Sequence, residues 1–452
     1  MMYNLVFNSF SSKTVLIHCD HKRRDSSSSF LIAFYLRKLG YNVVLGSRLT
    51  SKSLYSIFKP ELVLLTHPNS LFTPKEMEDA AKYTTFALLH PESSGMVKHS
   101  MIDHMRGGGA SIGDSYSKNI SKVFTWGTLL RDWIVEAKLY KSENVELIGC
   151  PRYDFYLNKD RKESQGLGIM SSFTGITTFD NRNVFQLLDQ GRGLGGIIYG
   201  KKGGYEDILW TSAAFARLYL EFLDIWCFDL KLSVYFRSYT LENFNDIEYF
   251  KNKYKPYLEL DKDTPFAKWL QGKNGNVFCY SSSVIESIIS GVPYICVQGV
   301  IEDRLEFHLP RKELADIRGE IYDYTYKPKS IEELVELAKK AYLGKLPLKT
   351  SPNSSAKLKK LLSDYYGYPK EEPSSWILAK RIDALIRDKK KNNQSFNLSR
   401  FKDYARSCYN VSQHLKPKMF KTLNDYHLMP WDKKDRMYAE EHFNTLEGIT
   451  KS

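Results

Sequence analysis

The chain has 452 residues, too many for one ordinary core and enough for two domains of roughly 150–200 residues with helices to spare. Its 42% hydrophobic, 14% aromatic and 26% charged residues exclude a largely disordered chain, and its formal charge of +13 favours partners that carry negative charge: nucleotides, phospholipid headgroups, lipid-linked phosphates or nucleic acid. No apolar run approaches the ~18–20 residues that span a bilayer, and the six cysteines, at 19, 150, 227, 279, 296 and 408, show neither CxxC pairs nor zinc spacing with histidine. Met1 to Ser12 is polar and lacks the apolar stretch of a secretory signal, so a cytoplasmic protein with reduced thiols is expected. Peripheral contact with the inner face of the membrane would run through the basic C-terminal region.

Thr14 to Cys19 is a short run of strand formers, Phe30 to Leu39 has helical periodicity, and Tyr41 to Leu45 is again a strand. Asp25 and Ser26 to Ser29 are placed to cap that helix and Gly40 to close it, so the chain opens on a βαβ unit. Further strands are predicted at Leu62 to Thr66, Thr85 to Leu89, Val123 to Trp126 and Val145 to Ile148, with helices at Pro74 to Lys82 and Thr128 to Leu139. Such alternation implies a parallel sheet covered on both faces. Pro151-Arg-Tyr-Asp154 closes this half, with Arg152 and Asp154 placed to brace the hinge as an ion pair, and the polar stretch around Asn158 to Gly168 reads as a linker.

A second alternation follows. Its strands are predicted at Ile169 to Phe173, Leu232 to Arg237, Val277 to Tyr280 and Tyr294 to Val297, and its helices at Ile208 to Phe228, Glu242 to Lys253, Ser283 to Ser290 and Ile331 to Tyr342. Beyond Gly344 come helical pieces, Ser354 to Tyr366 and Ser374 to Lys391, and a basic, aromatic tail from Ser395. The expected architecture is an α/β chain of two Rossmann-like domains facing a cleft, residues 1–160 on the acceptor side and 161–345 on the nucleotide side, with a helical basic extension over 346–452.

The most informative segment is Cys279-Tyr-Ser-Ser-Ser-Val-Ile-Glu286-Ser-Ile-Ile-Ser-Gly291-Val-Pro293. A strand runs into Ser281, Ser282 and Ser283, which open a helix whose free N–H groups make a phosphate site, and Glu286 one turn later can accept both hydroxyls of a ribose. The plain alternative is a capped helix with Glu286 as capping-box partner. Glu92, in the loop after Thr85 to Leu89, is the candidate base or nucleophile, expected to face the serine cluster, and Asp25 is the rival carboxylate. His67, His90, Ser93 and Ser94 are the candidates for acceptor or phosphate contacts, and Arg237 can pair with donor phosphate or a sugar carboxylate. The loops Gly191-Arg-Gly-Leu-Gly-Gly with Lys201-Lys-Gly-Gly204, and Gly107-Gly-Gly109 after His104 and Arg106, are not dinucleotide fingerprints and read as flexible loops.

The serine-helix segment resembles the donor-binding segment of GT-B glycosyltransferases. Several other stretches together resemble the bacterial surface carbohydrate biosynthesis proteins: Arg24-Asp-Ser-Ser-Ser-Ser-Phe-Leu-Ile-Ala, Leu39-Gly-Tyr-Asn-Val-Val-Leu-Gly46, His90-Pro-Glu-Ser-Ser-Gly95, Phe124-Thr-Trp-Gly127, Ile148-Gly-Cys-Pro-Arg-Tyr-Asp154 and Arg237-Ser-Tyr-Thr-Leu-Glu-Asn243. The resemblance implies a GT-B fold and transfer from a nucleotide sugar, such as a CMP-activated Kdo or sialic acid, onto a surface polysaccharide or lipid-linked glycan, with no cofactor and no obligatory metal. The chain departs from that family after Arg237, where Ser238 and Tyr239 replace its Pro-His-Pro, and before Gly95, where its acidic pair is reduced to Glu92. A transferase of polyol phosphate from a CDP-linked donor, with a histidine base, is the second enzymatic reading. A basic nucleic-acid-binding protein is the third, and no nucleic-acid-binding motif supports it.

Overall fold

The computed structural model describes residues 13–20, 22–91, 98–107, 115–157, 165–171, 173, 175–177, 205–239, 242–261, 263–279, 281–305, 320–351, 355–368, 371–392 and 433–447. The chain divides into two compact units, Met1–Asn158 with Lys359–Ser452, and Lys159–Leu358.

The first unit holds six parallel strands: β1 (Thr14–Cys19), β2 (Asn42–Ser47), β3 (Leu62–Leu65), β4 (Thr85–Leu89), β5 (Ile120–Thr125) and β6 (Val145–Leu147), in the order β2-β1-β3-β4-β5-β6. Every residue of β3 is buried, as expected for a parallel strand covered on both faces. Five helices lie between these strands: α1 (Lys22–Lys38), α2 (Ser51–Phe58), α3 (Pro74–Ala81), α4 (Lys98–Arg106) and α5 (Thr128–Glu136). Met77 of α3, Met101 and Met105 of α4, and Leu130 and Ile134 of α5 join Leu16, Val63, Leu65, Phe86, Leu88 and Val123 in one core. Each such side chain contributes about 1.5–3 kcal/mol when fully buried. Thr73 and Glu76 form a reciprocal capping box that starts α3, and Pro74 fills its first position.

Two expectations change here. The first helix begins at Lys22, so Asp25 lies in its first turn and the serines after it are internal; the Ser28 hydroxyl donates back to the Asp25 carbonyl at 3.0 Å. The C-terminal helices, expected as a separate extension, instead belong to the first unit from residue 359 onward. Helix Ser374–Asn392 and helix Lys433–Leu446 both pack on α1: Tyr35 lies 5.3 Å from Trp376 and 4.9 Å from Phe443 between ring centroids, and the Tyr41 hydroxyl donates to Asp383 at 2.6 Å.

Asp154 is the anchor of that arrangement. Its buried carboxylate accepts the backbone N–H groups of Ser374 at 2.8 Å and Ser375 at 2.7 Å, which open helix Ser374–Asn392, and its carbonyl accepts His442 Nε2–H at 2.8 Å. Arg152, expected as its partner, lies over the Trp126 ring at 4.9 Å.

The glycine of Phe124-Thr-Trp-Gly127 has a steric reason. A Cβ at Gly127 would stand 2.1 Å from the Asp364 carbonyl oxygen and 2.6 Å from the Tyr365 carbonyl carbon, on helix Ala356–Tyr366. Gly127 has φ −117° and ψ 172°, open to any residue, so a Gly127→Ala substitution tests contact alone. It should cost about 1–2 kcal/mol, within the range for overpacking, read as a lower urea midpoint at unchanged m-value. An unaltered midpoint would show that this helix does not sit against Gly127.

The second unit has five parallel strands, β7 (Leu167–Met170), β8 (Val234–Arg237), β9 (Leu258–Leu260), β10 (Gly275–Phe278) and β11 (Tyr294–Cys296), in the order β11-β10-β7-β8-β9. Most of the expected linker, residues 158–164, lies outside the described residues, whereas Leu167 and Gly168 already open β7. Helices Tyr205–Leu223, Phe244–Lys253, Phe266–Gln271, Ser283–Ser290, Gln298–Leu305 and Ile331–Tyr342 lie between or after these strands. Gly291, at φ 76°, ends Ser283–Ser290 in the left-handed conformation that favours glycine.

Candidate functional site

In an open parallel sheet, ligands bind beyond the carboxyl ends of the strands where the strand order reverses. In the first unit that point lies between β1 and β3. A hollow of about 40 Å³ occurs there, lined by His18 of β1, Asp25 and Ser28 of α1, Thr66 after β3, Pro91 after β4, and Arg152. Its volume holds a water or two.

The carboxylate in this hollow is firmly held. Asp25 takes a two-point grip from Arg24, with Nε to Oδ1 at 2.7 Å and Nη2 to Oδ2 at 2.8 Å, while Arg24 and Arg48 both pair with Asp20. His18 is buried, with Nδ1 2.8 Å from the Ser51 hydroxyl, and its Nε2 has no hydrogen-bond partner among the described residues. Burial holds its pKa at about 4, against the opposing pull of Asp20, so it is neutral at pH 7.

Beside the hollow, three imidazoles converge: His67 after β3, His90 after β4 and His104 on α4. Their ring centroids lie 4.7 Å (His67–His90), 5.9 Å (His67–His104) and 5.8 Å (His90–His104) apart. His90 is fully enclosed, and burial, with the neighbouring His67 and His104, pushes its pKa well below the usual value. A tight turn over His67 to Ser70 orients His67: its N–H is accepted by the Ser70 hydroxyl at 2.9 Å, and that hydroxyl donates to the His67 carbonyl at 2.7 Å. Glu92, Ser93 and Ser94 lie outside the described residues, as do Gly108, Gly109 and the loop over 191–204.

In the second unit the strand order reverses between β7 and β10. Ser281, Ser282 and Ser283 follow β10 there and open helix Ser283–Ser290. Ser282 occupies the cap position without a side-chain cap bond, the Ser283 N–H is accepted by the Ser281 hydroxyl at 3.2 Å, and the buried Ser283 hydroxyl has no partner among the described residues. With Ser282 at the cap, the third helical position is Ile285, and Glu286 falls one residue beyond the place a capping-box partner takes. Glu286 is buried on the first turn of the same helix.

Arg237 ends β8. Its guanidinium lies 5.6 Å from the ring centroids of both Phe266 and Trp269, with Nη1 3.8 Å from Asp261. Sequence reasoning quoted Glu242 without assigning it a task. Its buried carboxylate accepts from the Ser171 hydroxyl at 2.5 Å, from the Tyr239 N–H at 2.9 Å and from the Phe173 N–H, tying the loops after β7 and β8 together. His18 and His104 were likewise given no role. The signal for His18 was its place at the carboxyl end of a first strand; His104 carried none, since its helix was not predicted.

No protein-family model matches the chain, and no curated protein matches it in sequence. Among solved structures it is similar to the wall teichoic acid polymerase TagF. Two histidine-substituted variants of that protein each match with a TM-score of 0.53, at 10% and 12% identity, over 84% of this chain and 90% of theirs. It is also similar to UDP-GlcNAc 2-epimerase from Methanocaldococcus jannaschii in complex with UDP-GlcNAc and UDP, at TM-score 0.46 and 9% identity, over 82% of this chain and 99% of that one. The fold is GT-B. Of the candidate residues that are described, Asp25 and His67 lie at the first unit's switch point and the serine helix with Glu286 at the second's, while His90 follows β4 and Arg237 ends β8, each one strand away.

Proposed function

We propose that this protein is a transferase that takes a group from a nucleotide-activated donor. Our first reading is glycosyl transfer, with a CMP-activated acidic sugar such as Kdo as donor and a surface polysaccharide or lipid-linked glycan as acceptor. The observation that carries it is the grouping at the second unit's switch point: a helix opened by three serines, one with a buried hydroxyl that has no partner among the described residues, and a buried glutamate one turn on. That arrangement suits a nucleotide, with phosphate at the helix N-terminus and ribose at Glu286. Arg237, stacked on two aromatic rings, offers a fixed positive charge one strand away from β7.

Thermal melts with CMP, CDP, UDP and GDP test this reading, because a ligand of the native state at about 100 times its Kd adds about 2.7 kcal/mol of apparent stability. One nucleotide should raise the melting temperature, and Glu286→Ala should abolish most of that rise while the unliganded protein still unfolds cooperatively. A full shift in the variant would move the nucleotide elsewhere, and no shift with any nucleotide would remove the reading.

A second reading is transfer of polyol phosphate from a CDP-linked donor, as in teichoic acid synthesis. The imidazoles beside the first unit's hollow favour it, since one of them could serve as base. TagF, whose fold this chain shares, has also been studied with CDPG. Turnover of labelled CDP-glycerol but not CMP-Kdo would select this second reading.

A further inference from the structure

We infer that His67, His90 and His104 form a binding site for one divalent transition-metal ion of the zinc class. One nitrogen from each ring lies within 4.8 Å of the other two. A tetrahedral ion with bonds of ~2.0–2.1 Å places its ligand nitrogens roughly 3.4 Å apart, so ring rotations that draw the nitrogens in by roughly an ångström complete the set. Three nitrogens and no carboxylate select zinc, cobalt, nickel or copper over magnesium or calcium, which take oxygen.

The supports are rigid. His67 and His90 follow adjacent paired strands at the carboxyl edge of the sheet, and His104 sits on a helix whose Met101 and Met105 are locked in the core. Three protein ligands leave the fourth position open, the arrangement of ions that bind water or a substrate oxygen. Since the site adjoins the hollow at the β1/β3 switch point, an acceptor hydroxyl is the oxygen that would reach it. The resemblance to surface carbohydrate proteins implies no obligatory metal, so this site would set the chain apart from them.

The inference does not depend on the donor, and its test is independent of nucleotide. The full chain is stripped with a chelator and titrated with Co²⁺, whose visible d–d bands report tetrahedral coordination, and with Zn²⁺ followed by calorimetry. One ion per chain should bind the wild type. His67→Ala and His104→Ala remove half-buried rings and should each weaken binding at least ~100-fold, more than loss of a group that only orients a ligand. His99→Ala, on the same helix, should leave affinity unchanged. Circular dichroism melts confirm that each variant is folded, and Zn²⁺ should raise the melting temperature of the wild type and of His99→Ala alone. Absence of a stoichiometric site in the wild type, or equal affinity in His67→Ala and His104→Ala, overturns the inference. A nucleotide-induced shift that persists in either case would leave the proposed transferase standing.

Discussion

Glu92→Gln should lower turnover at least ~100-fold while leaving the nucleotide-induced thermal shift nearly intact. Glutamine keeps the size and hydrogen-bonding reach of the side chain but can neither take a proton nor form an ester with a sugar. Glu92 lies outside the described residues, and the expectation rests on those before it: β4 ends at Leu89, His90 is buried beside His67, and Pro91 lines the hollow at the β1/β3 switch point. The next residue is Glu92. Its rival, Asp25, lines that hollow and is spanned at both oxygens by Arg24, charge-assisted bonds that weaken a carboxylate as nucleophile or base. Assays with CMP-Kdo and CDP-glycerol, each with lipid-linked acceptor, would measure the effect. Near-normal turnover would remove Glu92 from the chemistry and make Asp25, then the imidazoles, the next residues to test.

The strands were legible because each is a short apolar run bounded by polar residues, and the alternation with helices fixed the parallel architecture. β9 was missed because Leu258-Glu-Leu260 is too short for a period-2 signal to rise above its surroundings. α1 was expected eight residues late, since Ser26 to Ser29 look like caps; inside the helix they turn inward, and Ser26, Ser28 and Ser29 are buried. α4 gave no clear stripe, with five charged or histidine positions among its nine residues besides Met101, Ile102 and Met105. The imidazole cluster depends on that helix and on the strand order β1-β3-β4, and strand order is a long-range property that no local pattern carries. The serine helix, by contrast, was readable in full because its cap, first turn and terminating glycine are contiguous.

The stability advantage of the wild type over Asp154→Asn should grow by about 2 kcal/mol as the pH is lowered from 8 to 4. Two influences oppose each other at this carboxyl. Burial penalises its charged form, while the N–H groups of Ser374 and Ser375, at a helix N-terminus, favour it. Burial wins, and the pKa is raised from 3.8 to about 6. The sign follows from proton uptake. Between pH 3.8 and 6 the folded chain holds a proton that the unfolded chain has released, so the contribution is largest below pH 3.8 and is lost as the pH rises through about 6. A displacement of roughly two pH units corresponds to about 3 kcal/mol at full extent, of which most is developed by pH 4. His442 works in the opposite direction, because burial lowers its pKa and acid must charge it. That contribution is common to both proteins and cancels in their difference. Urea midpoints for the two proteins across this pH range give the measurement. A difference that shrinks on acidification would mean that the helix N–H groups hold Asp154 ionised against its burial, and that the carboxylate, not the acid, docks helix Ser374–Asn392 onto the first unit.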